Sequence, residues 1–281
     1  MKMVKKILLG LVATATVIGL AGCKQIDDEK KAIDGSGNNY SVDYTNDGTG
    51  TYRAYKSTSL KHAGALVKVT FNEPNANNAS KMGLIFDLHE NADKSKSFYI
   101  IGLAGTPTAN CYISKMENIT DIQASNFGAS TTATGTNPKE TIIWNPDASQ
   151  GIGSITRPAA VSDGSVSYYV YYKAFPNGTG DTTGKGHYEW GVFDFTEAQA
   201  ETAKAMMKKE NATEEATLAR LAAIANGVKL QGGTISSAFD ITGTTVPQNQ
   251  IAVYANILEK KSLKGKWKFL DMYKEAEEIE E

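Results

Sequence analysis

Cysteine, histidine and proline are scarce in this chain: 2, 3 and 7 of them in 281 residues. With so few cysteines there is no disulfide framework, so an exported chain of this size is held by its core. His62, His89 and His187 are far apart in sequence, and there is no HExxH, CxxC, Gly-rich phosphate loop or GxSxG. Those absences exclude the familiar zinc-hydrolase, thiol-redox, nucleotide-binding and serine-hydrolase signatures. No cofactor fingerprint and no metal-ligand spacing is left. An excess of positive charge is missing too: 29 Lys+Arg face 31 Asp+Glu, with no basic stripe. That excludes nucleic acid as an electrostatic partner. The longest apolar run, Ile7–Leu20, is short for a membrane span.

What is present begins with that run. Lys2, Lys5 and Lys6 precede it and Leu20-Ala21-Gly22-Cys23 follows at once, the order of a secretory signal. The tetrapeptide resembles the lipobox of bacterial lipoproteins. The resemblance implies cleavage after Gly22 and a diacylglycerol thioether on Cys23, which becomes the first mature residue. Multiple acyl chains give stable anchoring, since each buried CH₂ contributes about 0.8 kcal/mol and one chain alone is marginal. Residues 1–22 are then signal peptide and 23–37 a polar lipidated tether. The mature chain of 259 residues carries 26 basic and 31 acidic residues, a charge of −5. It belongs in the bacterial cell envelope, periplasmic or surface-exposed, with the membrane as a partner through its lipid. Lipidation of Cys23 leaves Cys111 without an intramolecular partner. Its apolar strand-like surroundings, Ala109–Lys115, make it a buried packing residue.

From Tyr40 onward the periodicity is mainly two. Tyr40, Val42 and Tyr44 alternate, and Asn46-Asp47-Gly48 turns the chain into a strand from Tyr52, which reads as a hairpin. Gly64–Phe71 alternates cleanly. In Met82–Glu117 three strands follow one another: Met82, Leu84, Phe86 and Leu88 share one face, with Gly83, Ile85, Asp87 and His89 on the other. Ser97–Ala104 is apolar on both faces, the mark of a central strand. A long Thr/Ser/Asn/Gly connection, 118–141, leads to Ile142–Trp144. Val166–Phe175 and His187–Phe195 form a second hairpin across a Gly/Thr turn. The period then changes. Thr196-Glu197-Ala198-Gln199 has capping-box spacing, and a second helical run from Asn211 closes at Asn226-Gly227. This two-helix insertion, about 196–226, is expected to dock on its own sheet. Strands resume at Ile235–Ile241, Gln250–Leu258 and Leu263–Leu270, ahead of an acidic tail from Asp271.

Residues that could carry chemistry are few. His89 sits beside Glu90 at a strand end, and His187 and Glu189 share a strand face. Glu189 and Asp194 differ in strand parity, so they do not form the alternating acidic triplet of sandwich glycosidases; no catalytic residue is assigned. Trp144, Trp190, Trp267 and the run Tyr168–Tyr172 could stack on sugar rings or fill a core.

Gly83-Leu84-Ile85-Phe86 and Phe98-Tyr99-Ile100-Ile101, with a polar turn between them, resemble strands of concanavalin-like jelly-roll domains. The resemblance implies an all-β, two-sheet antiparallel jelly-roll-like sandwich over residues 38–281. The functional expectation is a lipid-anchored, exported binding module for a glycan or another surface ligand such as a protein. The alternatives are a glycan-processing enzyme with an unrecognised carboxylate pair and a structural envelope lipoprotein with a protein partner.

Overall fold

A computed structural model describes residues 32–74, 80–104, 110–119, 140–144, 153–154, 157–175, 186–207, 216–224, 229–236 and 249–273. In chain order the first strands are β1 (Ile33–Ser36), β2 (Asn39–Thr45), β3 (Tyr52–His62), β4 (Gly64–Phe71), β5 (Lys81–Glu90), β6 (Lys96–Ala104) and β7 (Asn110–Ile119). They continue with β8 (Glu140–Trp144), β9 (Gly153–Ser154), β10 (Val166–Phe175) and β11 (His187–Phe193). Helices α1 (Glu197–Met206) and α2 (Leu218–Ile224) come next, then β12 (Lys229–Ser236), β13 (Asn249–Ile257) and β14 (Ser262–Tyr273).

The strands form two antiparallel sheets. One has the order β1-β2-β14-β4-β10-β11-β12 and is called sheet A here. The other, sheet B, has the order β3-β13-β5-β6-β7-β8, with β9 paired to β7. This is the two-sheet, jelly-roll-like sandwich with a two-helix insertion that the alternation implies.

Each sheet turns one apolar row set inward. Val67, Val69 and Phe71 of β4 and Tyr168, Val170 and Tyr172 of β10 meet Leu84 and Phe86 of β5 and Tyr99 and Ile101 of β6, all buried. Phe86 is the hub. Its ring stacks on Tyr172 at 4.7 Å and Tyr99 at 5.2 Å and meets Tyr188 edge-on at 5.4 Å. Offset stacks and edge contacts of this kind add about 0.5–1.5 kcal/mol each beyond the area they bury. Trp267 is also inside, its Nε1 donating to the Gly83 carbonyl at 3.0 Å. Cys111 is fully buried, and burial pushes its thiol far up.

Three expectations need correction. β2 and β3 are not a hairpin: β2 pairs β14 in sheet A and β3 pairs β13 in sheet B. Asn46 is therefore a crossover residue, with Nδ2 donating to Ile257 O at 3.1 Å and to Gly50 O at 2.9 Å. Local alternation registers a turn but not which sheet receives the next strand. Second, the alternation along β5 breaks at Asp87, which has φ +54°. The register slips between Phe86 and His89, a bulge that sets Phe86 and Asp87 against the single residue Ile251. Asp87 thereby turns inward to Tyr172 and Tyr188, and Leu88 packs on the outer face instead. Third, Ile33–Ser36, inside the stretch read as tether, is strand β1.

The helices lie where the sequence puts them. Thr196 and Gln199 form a reciprocal capping box on α1. Asn211 and Asn226-Gly227 lie outside the described residues; α2 starts after Thr217, whose Oγ1 accepts from Arg220 N at 3.3 Å. α2 docks on β11 and β12. Two glycines permit that approach: a Cβ on Gly191 or Gly232 would lie 2.9 or 3.0 Å from Leu218 Cδ1.

Candidate functional site

Over β10, β11 and β12 the outer face of sheet A is occupied by the chain's own helices. Tyr169 and Lys68, cross-strand partners, hold Glu197 at the start of α1: Lys68 Nζ bonds its carboxylate and the Tyr169 hydroxyl donates at 3.4 Å. The hydrogen bond from Lys68 keeps the Glu197 carboxyl below its ordinary range. Two and four residues further along β10, the Tyr171 hydroxyl donates to Ala216 O at 3.2 Å and Lys173 Nζ to the same carbonyl at 3.4 Å. Lys173 is 1% exposed and lies 4.1 Å from the Tyr273 ring centroid and 5.0 Å from that of Phe175. A buried cation is costly unless paired, and carbonyl plus aromatic faces are how this one is stabilised.

The residues expected to carry chemistry are mostly absorbed by this packing. His187 stacks on Phe175 at 5.0 Å, and Glu189 caps α2 by accepting Leu218 N at 2.6 Å. They share the outer face of sheet A, as strand parity implies, and Glu189 serves the insertion. Glu90 pairs with Lys94 at 3.0 Å, and Lys94 with Lys96 holds its carboxyl low. Asp194 follows the end of β11, its carboxyl raised by desolvation. Trp190, Trp267, Tyr168 and Tyr172 are core residues. Asp271–Tyr273, read as the start of the acidic tail, instead complete strand β14, and Cys23, residues 274–281 and the side chains of His62, His89 and Trp144 lie outside the described residues.

The outer face of sheet B has a different composition. The register aligns Tyr55 (β3), Tyr254 (β13), Gly83 (β5), Gly102 (β6) and Tyr112 (β7) in one row. Two residues along, on the same face, Arg53, Asn256 and Lys81 form a second row. Tyrosines thus flank a two-glycine floor, beside two cations and an amide. Gly102 is required: a Cβ there would meet the Tyr112 ring at 2.1 Å, so the ring lies flat over bare backbone. Lys81 Nζ sits 5.0 Å above the same ring. Tyr254, Tyr112, Arg53, Asn256 and Lys81 are buried, and Tyr55 is the member nearest solvent.

On this face Asn256 Oδ1 and Ser114 Oγ have no hydrogen-bond partner among the described residues; Asn256 is 2% exposed and Ser114 fully buried. A buried polar group left unsatisfied costs about 1–3 kcal/mol. The two rows set aromatic rings beside cationic and amide side chains, with no carboxylate in either row. The sequence gives little warning of it. Arg53, Asn256 and Lys81 come from three strands distant in sequence, and only pairing makes them neighbours.

Neither a family model nor a curated protein matches the chain. Among solved structures it is similar to the CBM2 module of the evolved Dit of Lactobacillus casei BL23 phage J-1. The identity is 6% and the TM-score 0.34, over 86% of this chain and 77% of that one. The fold assignment rests on strand order and register.

Proposed function

We propose that this chain is an exported, lipid-anchored binding module of the bacterial cell envelope that takes a glycan on the outer face of sheet B. The observation that carries the ligand class is the pair of rows on that face. Tyr55, the ring nearest solvent, supplies apolar area for the C–H face of a pyranose, and the buried Arg53, Asn256 and Lys81 line the row beside it. The anchor reading rests on the signal-like run ending in Leu20-Ala21-Gly22-Cys23. The concanavalin-like resemblance of Gly83–Phe86 and Phe98–Ile101 belongs to the same reading.

A broad glycan array probed with the mature chain tests the ligand class. Binding that Tyr55→Ala and Asn256→Ala each weaken at least fivefold is expected; no binding above background refutes the glycan reading. For the anchor, Cys23→Ser should abolish processing and detergent partitioning. Unchanged partitioning would sink that part alone.

A further inference from the structure

We propose that α1 and α2 form a flap that leaves sheet A as one cooperative unit while both sheets stay paired. The insertion sits between strands that are already neighbours. Phe193, the last residue of β11, is the cross-strand partner of Lys229, the first of β12. From there the ladder runs on through Val192 with Gln231 to His187 with Ser236. Lifting the helices therefore breaks no strand pairing.

The helices are tied to each other at both ends. Gln199 Nε2, in the first turn of α1, donates at 3.0 Å to the carbonyl of Ile224, the last residue of α2. Ala216 N, just ahead of α2, donates at 2.9 Å to the carbonyl of Met206, the last residue of α1. α1 packs chiefly on α2, and α2 on β11 and β12. Helices of ten and seven residues do not persist alone. A helix that loses its hold on the sheet therefore takes away the support of the other.

The hold on the sheet has a polar and an apolar part. The polar part is three latches: Lys68 and Tyr169 on Glu197, Glu189 on Leu218 N, and Tyr171 with Lys173 on Ala216 O. The apolar part is small. The buried side chains of the insertion are Ala200, Ala203, Met207, Ala216 and Leu221, three of them single methyl groups. Between the sheets the core is filled by rings and branched chains instead. Local stability follows the apolar area buried, so the insertion is the weaker unit. Its departure uncovers the hydroxyls of Tyr169 and Tyr171, which point outward from β10 and bond Glu197 and Ala216 O when the flap is down.

Native-state hydrogen exchange on the whole chain tests the flap. In the wild type, the amides of residues 200–206 and 221–224 should share one opening constant, at least about tenfold larger than that of β4 and β10. Glu197→Ala removes a latch of α1 and Glu189→Ala one of α2. Each should nevertheless speed exchange in both helices by at least about threefold, the scale of one lost side-chain hydrogen bond. Loosening confined to the helix whose latch was removed overturns the single unit. Helix amides no faster than those of β4 and β10, or loss of protection in β11 together with the helices, overturns the flap.

Discussion

Glu189 on β11 accepts the backbone N–H of Leu218, the first residue of α2, at 2.6 Å. A helix of seven residues is too short to persist alone, so α2 exists because sheet A caps and clamps it. The carboxylate also favours the positive end of the helix dipole. Glu189→Ala should cost about 1–2 kcal/mol, the range for a lost N-cap. Hydrogen exchange would show faster amides in Leu218–Ile224 with β4 and β10 unchanged. Uniform loss of protection would mean that Glu189 supports the whole sandwich instead.

The inward turn of Asp87 makes a graded prediction. Asp tolerates φ +54° better than most residues, and its carboxylate accepts the Tyr188 hydroxyl. Asp87→Ala loses the partner of Tyr188 and strains the bulge, for about 2–4 kcal/mol. Asp87→Asn keeps both features and should cost less than half as much. Equal urea midpoints for the two variants would show that the bulge does not depend on this side chain.

Tyr172 and Tyr188 predict the alkaline limit. Burial, and then the nearby Asp87 carboxylate, raise both phenols well above 10. The folded state holds these protons more tightly than the unfolded chain does. Their contribution is intact below about pH 10 and is lost above it, by roughly 1.4 kcal/mol per pH unit for each ionising group. Tyrosinate absorbance should therefore rise together with unfolding. The Tyr172 hydroxyl has no hydrogen-bond partner among the described residues. Tyr172→Phe should therefore change stability at pH 7 by under about 1 kcal/mol while flattening the alkaline limb. An unaltered limb would count against the assignment.

At acid pH the direction reverses. Lys68 holds Glu197 ionised below its ordinary carboxyl range, so this contribution is present at neutral pH and lost as pH falls through that lowered value. The pair is partly exposed, and its worth is small. Glu197→Gln should lower the protection factors in α1 at pH 7 yet leave them nearly independent of pH between about 3 and 6, once intrinsic exchange is divided out. A pH dependence equal to wild type would remove Glu197 from that role.

Much of this protein is determined by its sequence alone, because the forces involved are local. Alternation within Gly64–Phe71 and Val166–Phe175 requires strands with a dry face. Thr196 and Gln199 define a helix start through hydrogen bonds three residues apart. Apolar neighbours on both sides bury Cys111. Other features needed the tertiary structure, because they depend on which strands pair. Asn46 ends a strand in either topology, and only the partners of β2 and β3 show that the chain changes sheet there. Asp87 sits in an alternation that predicts the wrong face, since one extra residue in a bulge inverts it. The candidate site is the extreme case. Arg53, Asn256 and Lys81 are more than 25 residues apart at their closest, and cross-strand pairing alone, at about 4.8 Å between strands, sets them side by side.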